Sequence, residues 1–236
     1  MEVVHPDLRP SAATDREAML AQQARVRALA RFTDERPVDE RSLVAGVDQA
    51  FPDEAAVSAV VAVRDGIVQE TVTARVPLTQ PYVPGLLSYR EGPSILAALD
   101  QLSSDPAVVL FDGSGRIHPR EAGIATHVGV CLDVPAVGVA KGLLCGEPGE
   151  PTEGLDEGER VPIHADDSMT APTGIIVGYA VQTRQYESPT RHINPLYVSP
   201  GHRMSAESAA ALVETLVEGY KLPEPIRLAD AVAGER

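Results

Sequence analysis

The alternation of apolar and polar residues along the chain predicts most of its secondary structure. Residues from about Ala12 to Phe32 place apolar side chains at helical spacing among charges, which predicts an amphipathic helix capped by Ser11 or Thr14. Apolar, β-branched runs predict three strands, one starting at Leu43, one from Ala56 to Val63 and one from Ile67 to Val76. Asp65-Gly66 joins the last two as a hairpin, so the chain opens with antiparallel strands.

Helices and strands alternate in the rest of the chain. The predicted elements are a helix from Gly92 to Leu102, a strand from Ala107 to Phe111, a helix from Glu121 to Leu132, a strand from Ala136 to Val139, a strand from Gly174 to Thr183, a short extended segment from Leu196 to Ser199, and a helix from Ser205, its N-cap, to Tyr220. Alternation of this kind implies parallel pairing.

The acidic, glycine- and proline-rich stretch from Cys145 to Asp167 predicts an exposed excursion. We therefore expect a single α/β domain, a mixed β-sheet flanked by helices with a ribonuclease H-like layout.

The charge of the chain limits how it can meet a polyanion. Thirty-four acidic residues against 20 basic ones give a net charge of −14, so no overall positive field attracts nucleic acid. Binding would need a local basic patch, for which the candidates are Arg90, Arg116, Arg120, Lys141, Arg191 and Arg203.

The ends and the cysteines indicate where the protein works. Cys131 and Cys145 have no metal-ligand or CxxC spacing, which fits a reducing compartment. The N-terminus carries acid and proline where a signal peptide needs basic and apolar residues, and no run approaches a membrane span. We expect a soluble, cytoplasmic monomer with no membrane partner.

Three carboxylates occupy positions that favour a metal site. Asp48 and Asp112 each end a predicted strand, and Glu91 follows a Pro-Tyr-Val-Pro-Gly loop. Acids just past the last apolar residue of a strand lie at the rim of a sheet, where several strands converge. Oxygen ligands suit Mg²⁺ or Mn²⁺. The alternative for each acid, taken alone, is a capping or solvated role.

Several longer strings, in order, resemble the endonuclease V family. They are Val-Ala-Gly-Val-Asp at 44–48, Pro-Tyr-Val-Pro-Gly-Leu-Leu-Ser-Tyr-Arg-Glu at 81–91, Phe-Asp-Gly-Ser-Gly-Arg-Ile-His-Pro-Arg at 111–120, Asp-Val-Pro-Ala-Val-Gly-Val-Ala-Lys at 133–141, Asn-Pro-Leu-Tyr at 194–197, Gly-His-Arg at 201–203, and Leu-Pro-Glu-Pro at 222–225 continuing to Asp230-Ala231. The similarity starts near Ala12. It implies an N-terminal extension at residues 1–10 and a catalytic domain at 11–236.

The resemblance implies a metal-dependent endonuclease that recognises a deaminated purine, deoxyinosine or inosine. Such an enzyme hydrolyses the second phosphodiester on the 3′ side of the lesion and leaves a 3′-hydroxyl and a 5′-phosphate, in DNA repair. The alternatives are an inosine-specific ribonuclease and a non-catalytic protein that binds inosine-containing nucleic acid. Two positions depart from the family pattern: Ser114 replaces a common histidine, and Gly142 replaces a common second lysine.

The resemblance also implies residue roles in catalysis. Asp48, Asp112 and Glu91 would hold Mg²⁺, for which Mn²⁺ may substitute. Lys141 would stabilise phosphate charge or orient the nucleophile, and His202 would act near a second metal or the leaving group. Taken alone, Lys141 is equally compatible with a surface cation, and His202 with a structural histidine.

A further group of residues is implied in substrate binding. Tyr82 would be a wedge inserted into the base stack, stiffened by the prolines around it, while glycine backbone would approach the base and His118 would contact the lesion or strand. The substrate-binding set is Pro81, Tyr82, Pro84, Gly85, Gly113, Gly115 and His118. The open alternatives are a core-anchoring tyrosine, ordinary turn glycines and a structural histidine.

A rival enzyme interpretation takes Asp112 as the nucleophile of a phosphatase that forms an aspartyl phosphate. That chemistry needs a second aspartate two residues later, and Ser114 stands there. The acid that would protonate the leaving group is therefore missing.

Overall fold

Helices and strands follow largely the predicted order in the computed structural model, which describes residues 1–11, 15–39, 41–186 and 192–235. The strands are β1 (Val44–Ala50), β2 (Ala55–Arg64), β3 (Ile67–Pro77), β4 (Val108–Asp112), β5 (Ala136–Ala140), β6 (Glu147–Pro148), β7 (Arg160–His164), β8 (Ile176–Val181) and β9 (Leu196–His202). The helices are α1 (Arg16–Leu29), α2 (Leu87–Asp100), α3 (Ile124–Leu132), α4 (Ala206–Thr215) and α5 (Glu224–Gly234), with a short 3₁₀ helix at Pro6–Leu8.

Within the described residues, nine strands form one mixed sheet in the order β3-β2-β1-β4-β5-β9-β8-β7-β6. β1 pairs antiparallel with β2 and parallel with β4, and β4 pairs parallel with β5. β9 then runs antiparallel to β5. The predicted α/β class and mixed sheet are confirmed. None of the helices in the described ranges is both long and apolar enough to span a membrane.

The central strands consist mostly of apolar residues because helices cover both faces of the sheet. In β4, Val109 and Phe111 join a core with Ile95 and Leu99 of α2. Val108 and Leu110 point the other way, into a core shared with α4 and α5. The period-two alternation of a strand therefore appears here as an alternation between two buried layers.

The N-terminal segment packs against α3. Leu8 is fully buried, and the backbone amides of Val4 and His5 both donate to the Cys131 carbonyl, at 2.9 and 3.0 Å. His127 Nε2 lies 2.8 Å from the Leu8 carbonyl and donates to it. Residues 1–10, set apart above as an extension, thus supply part of the core.

Helix α2 begins at Leu87, five residues before the predicted start at Gly92. Pro93 lies inside the helix, where it removes one backbone donor. Glu91 consequently projects from a helix rather than from the end of a loop.

The prediction of an exposed excursion over residues 145–167 is confirmed for most of residues 147–159 and wrong for residues 160–167. This stretch contains β6 and β7, which extend the sheet, and the side chains of Val161 and Ile163 are buried against Met169. The sequence missed β7 because only two apolar residues alternate there, and the surrounding glycine, proline and acidic residues are typical of an exposed loop.

Other boundaries also differ. α1 is capped by Asp15, whose carboxylate accepts from Ala18 N at 2.9 Å, rather than by Ser11; Thr14 lies outside the described residues. The helix at the cap Ser205 ends at Thr215, β9 continues to His202, and α5 was not predicted at all.

We expect His127 to make the protein less stable in acid. Complete burial lowers the pKa of His127 to about 4, below the ordinary value near 6.5 of the unfolded chain. Between those pH values the unfolded state takes up a proton that the folded state does not, so the free energy of unfolding falls as pH falls, by up to about 3 kcal/mol. Urea unfolding between pH 4 and 7.5 should show a shallower slope for His127→Gln than for the wild type. The exposed-site control His192→Gln should keep the wild-type slope, and equal slopes for all three proteins would contradict the assignment.

Candidate active site

Asp48 and Asp112 are neighbours on two parallel strands: Asp112 ends β4, whereas β1 continues past the predicted strand end at Asp48 to Ala50. Val47 of β1 is in register with Phe111 of β4, so the next residue on each strand is an aspartate. Side chains alternate along a strand, and both aspartates therefore point to the face that α5 covers. Parallel pairing in this register brings the two carboxylates together, as their positions at strand ends predict.

A third aspartate reaches this point from α5. A Cβ on Gly46 would lie 2.1 Å from the carbonyl carbon of Pro225, so only glycine lets the first turn of α5 contact β1. Asp230, five residues further along α5, shares a hydrogen bond with the Asp48 carboxyl group when one of the two is protonated. The sequence analysis gave Asp230 no role; the available signal was the similarity of residues 222–231 to the family.

Glu91 enters the same site from the opposite layer. It is only 7% exposed, and its helix is tied to β2 because Ser58 Oγ donates to Ser94 Oγ at 2.8 Å and Ser94 Oγ donates to the Glu91 carbonyl at 2.9 Å. Glu91, Asp48 and Asp112 line one cavity of about 460 Å³. Its remaining walls include Phe51, Tyr82, Gly85, Leu87, Gly113, Ser114, His118, Ile124, Lys141 and Leu144.

The site contains more acidic side chains than the single ammonium group of Lys141 can neutralise. Burial raises the pKa of Asp48 to about 8, and the negative charge of Asp112 adds to that effect. Burial likewise raises the pKa of Glu91 to about 7 against the opposing charge of Arg90. Lys141 Nζ donates to Asp112 Oδ2 at 2.5 Å. Burial opposes the charge on Lys141, but the hydrogen bond to Asp112 and the neighbouring carboxylates raise its pKa overall.

The carboxylates fit a hard divalent cation by donor type and by charge. Asp48, Glu91 and Asp112, with Asp230 beside them, offer only oxygen atoms, which Mg²⁺ and Mn²⁺ prefer. In the described part of the chain no three acidic, histidine or cysteine side chains lie close enough, in these rotamers, to enclose an ion. The Lys141 ammonium lies on Asp112 instead. Binding a cation therefore requires side-chain rotation within an otherwise preformed acidic site.

The loop at residues 81–85 stands at the mouth of the cavity. Tyr82 is 64% exposed, and Pro81, Val83 and Pro84 are exposed with it, which excludes the core-anchoring alternative for the tyrosine. Phe51 and Leu144 are also exposed and line the cavity. The entrance thus carries aromatic and aliphatic surface of the kind that stacks on bases, and sequence analysis had not singled out Phe51 or Leu144.

His118 supports this loop through backbone hydrogen bonds. Its Nε2 lies 3.1 Å from the Gly85 carbonyl and its Nδ1 accepts from Arg120 N at 3.1 Å. Burial, together with the Arg120 charge, lowers its pKa to about 4, so the ring is neutral near pH 7. Of the two predicted pocket glycines, Gly113 lines the cavity, whereas Gly115 packs against the backbone of Pro200.

The structure does not bring His202 to this site. His202 pairs with Ala136 at the first residue of β5, while Lys141 follows the last residue of that strand. The His202 ring is instead held by Asp133, 3.1 Å from Nε2, and by the amide of Arg31, which donates to Nδ1. The expectation of a catalytic role failed because β9 runs antiparallel to β5 and continues through residues interpreted as a loop. We remove His202 from the candidate set.

Only part of the predicted basic patch surrounds the cavity. Lys141 lines it, Arg90 stacks over Phe51 at 4.9 Å, and Arg120 contacts Gly85. Lys221, the other lysine of the chain, has its pKa lowered by burial and by the charge of Lys141, which places it near the site. Two other candidates are paired elsewhere, Arg116 with Glu121 and Arg203 with Asp133, and Arg191 lies outside the described residues.

Comparison with known proteins identifies relatives across the whole chain. The family model described as Endonuclease V matches residues 25–231. The Endonuclease V of Haloarcula marismortui is 52% identical over 260 aligned residues, which cover 98% of this chain and 96% of the relative.

Solved structures agree in fold. The Endonuclease V of Streptomyces avermitilis superposes with a TM-score of 0.81 at 32% identity, covering 98% of this chain and 95% of that one. The Endonuclease V of Ciona intestinalis, solved with a 24mer DNA containing an inosine followed by a ribo-adenosine, gives a TM-score of 0.76 at 26% identity, covering 92% and 95%. This chain belongs to the Endonuclease V family and is a nuclease.

Proposed function

We propose that the protein is a metal-dependent endonuclease that recognises deoxyinosine in DNA, hydrolyses the second phosphodiester 3′ to it and acts in DNA repair. The observation that carries the proposal is the juxtaposition of a buried acidic cluster and Lys141 with a cavity whose mouth bears the exposed Tyr82. The inosine-containing DNA bound by the Ciona relative supports the substrate class.

The cavity suits a base rotated out of the helix. Its volume of about 460 Å³ lies within the usual range for small-molecule pockets, and Leu87 and Ile124 supply apolar walls. Hypoxanthine presents O6 and N1–H where adenine presents an amino group and a bare nitrogen. A cavity wall that pairs with the O6 and N1–H edge would distinguish the two, because a mismatched donor or acceptor loses its hydrogen bond on burial.

Tyr82 would replace the stacking that the extruded base gives up. The ring is held forward between two prolines, with most of its surface free. Extrusion costs least for a weakly paired base, which favours hypoxanthine over a normal purine.

In the hydrolysis, a water oxygen forms a bond to phosphorus and the bond between phosphorus and the 3′-oxygen breaks. The 3′-oxygen takes up a proton to become the 3′-hydroxyl, and the phosphate remains on the 5′ end of the other product. Lys141 Nζ, beside Asp112, would donate to a phosphoryl oxygen as charge develops there. Asp48, Glu91 and Asp112, with Asp230, would hold Mg²⁺ or Mn²⁺, which when bound polarises the phosphoryl group and neutralises the leaving oxygen.

The test is cleavage of an end-labelled duplex carrying one deoxyinosine, with and without Mg²⁺, beside single-stranded RNA carrying one inosine and undamaged controls. A net charge of −14 repels a polyanion at low ionic strength, so each reaction is run across a series of KCl concentrations.

A metal-dependent nick one nucleotide beyond the lesion would support the proposal. Faster cleavage of the RNA than of the DNA would indicate a role in RNA turnover instead of DNA repair. The RNA substrate is included because the nucleic acid in the Ciona complex contains a ribo-adenosine. Binding without cleavage under every condition would leave only an inosine-binding protein.

Asp48→Asn should separate activity from stability. The change removes one of two adjacent carboxylate charges with little change in side-chain shape. Altering residues that merely support a metal ligand typically lowers activity tenfold to a hundredfold, so loss of a ligand itself should lower cleavage roughly a hundredfold or more. Binding of inosine-containing DNA should persist, because the lost interaction matters mainly in the transition state. In EDTA at pH 9 the free energy of unfolding should rise by on the order of 1 kcal/mol, since a buried like charge is gone.

The matched control is Asp53→Asn, which changes the net charge equally at an exposed turn position whose positive φ asparagine tolerates. It should cleave as the wild type does. Full activity of Asp48→Asn would exclude Asp48 from the catalytic set.

Tyr82→Ala should lower the ratio of cleavage at inosine to cleavage at adenosine in duplex DNA. Losing one base-stacking contact costs about 1–3 kcal/mol, so the ratio should fall by roughly tenfold or more. Tyr82→Phe keeps the ring and should keep the ratio. If the alanine variant selects inosine as well as the wild type does, the wedge role is excluded.

A further inference from the structure

The carbonyl oxygen of Gly85 receives three side-chain donors from two separate parts of the chain. Gln23 Nε2 donates at 2.9 Å, Arg120 Nη2 at 2.8 Å and His118 Nε2 at 3.1 Å. Gly85 has φ +75°, a conformation that favours glycine. This residue ends the loop that carries Tyr82, so the donors hold the loop at the point where it joins α2.

Gln23 is the part of this arrangement that the site does not otherwise explain. It lies on α1 and is fully buried, and it does not line the cavity. Both ends of its carboxamide are used, because Oε1 also accepts from Arg120 Nε at 2.5 Å. A buried carboxamide is costly unless both ends are satisfied, and an aliphatic side chain would fill the same space without that demand.

The tip of the loop, residues 81–84, is exposed to solvent, and the hydrogen bonds described for the loop lie at its two ends. At its start Arg90 Nη1 donates to the Gln80 carbonyl at 2.9 Å, and near its end Leu86 N donates to the Val83 carbonyl at 3.0 Å. The orientation of Tyr82 therefore depends on fixing the two ends of the loop, and Gln23 orients both Gly85 and the guanidinium of Arg120 at one of them.

We propose that Gln23 is a positioning residue for lesion recognition, which acts through Gly85 and Arg120 to hold the Tyr82 loop ready for insertion into duplex DNA. The inference rests on the proposed function. Preorganisation matters because a displacement of about 1 Å in a recognition element can cost a hundredfold in rate. The role is needed only where a base must be extruded from a stack, so it should be dispensable on single-stranded DNA.

The activity test compares Gln23→Leu and Gln23→Glu with wild type on deoxyinosine in duplex and in single-stranded DNA. Gln23→Leu removes both hydrogen bonds, and Gln23→Glu keeps the acceptor for Arg120 but loses the donor to Gly85. We expect the duplex-to-single-strand ratio of kcat/KM to fall roughly tenfold to a hundredfold in both variants, with single-strand cleavage retained. Gln22→Leu, on the same helix but bonded to the Asp7 and Arg9 carbonyls, should keep the wild-type ratio.

A second readout follows the loop itself without any cleavage. The chain contains no tryptophan, so Tyr82→Trp introduces a single fluorophore at the tip of the loop. In the free protein, time-resolved anisotropy should show a larger amplitude of nanosecond motion when Gln23→Leu is added to Tyr82→Trp, and no change when Gln22→Leu is added.

Equal losses on duplex and single-stranded DNA, or an unchanged anisotropy, would overturn the proposal and leave Gln23 as a residue that merely packs α1. Failure of the wild type to cleave either deoxyinosine substrate would instead overturn the proposed function. The wild-type reactions test that function, whereas the ratios of the variants test the role of Gln23.

Discussion

Repulsion between neighbouring carboxylates on β1 and β4 is the constraint around which this structure is arranged. Parallel pairing in register places Asp48 beside Asp112, and burial removes the water that would screen them. Lys141 offsets one charge, while Asp230 and Glu91 add more from the two helical layers. Such a cluster destabilises the isolated protein because it holds like charges close together, and under the proposed function a bound divalent cation would offset that repulsion. The fold holds the cluster because two apolar layers secure the strands beneath.

The proposed recognition and the proposed chemistry use different parts of the molecule. The acidic residues stand on strands and helices, whereas Tyr82 stands on an exposed loop whose ends are fixed by side chains from elsewhere. A rigid site suits charge stabilisation, which depends on distances, and a loop suits entry into a base stack. His118 belongs to the second part, since its ring nitrogens hold backbone rather than point at a substrate.

The overall charge of −14 makes local cations important. Arg90, Arg120 and Lys141 are gathered around the cavity, while other arginines are paired with acids away from it. The Debye length falls from about 10 Å at 0.1 M salt to about 3 Å at 1 M, so salt screens the long-range repulsion of a polyanion more than contacts made inside the site. Under the proposed function, stacking and direct hydrogen bonds would then contribute most of the binding.

Features that depend on neighbouring residues or on short motifs could be predicted from the amino-acid sequence. Alternation and the Asp65-Gly66 turn predicted the antiparallel start and the parallel strands, and strand-end position predicted that Asp48 and Asp112 would meet. The positions of Asp230 and His202 relative to the site are set by long-range packing instead. Asp230 reaches the site because Gly46 admits α5, and His202 is excluded because β9 runs antiparallel to β5. Both outcomes depend on contacts between residues far apart in the chain, which no local pattern encodes.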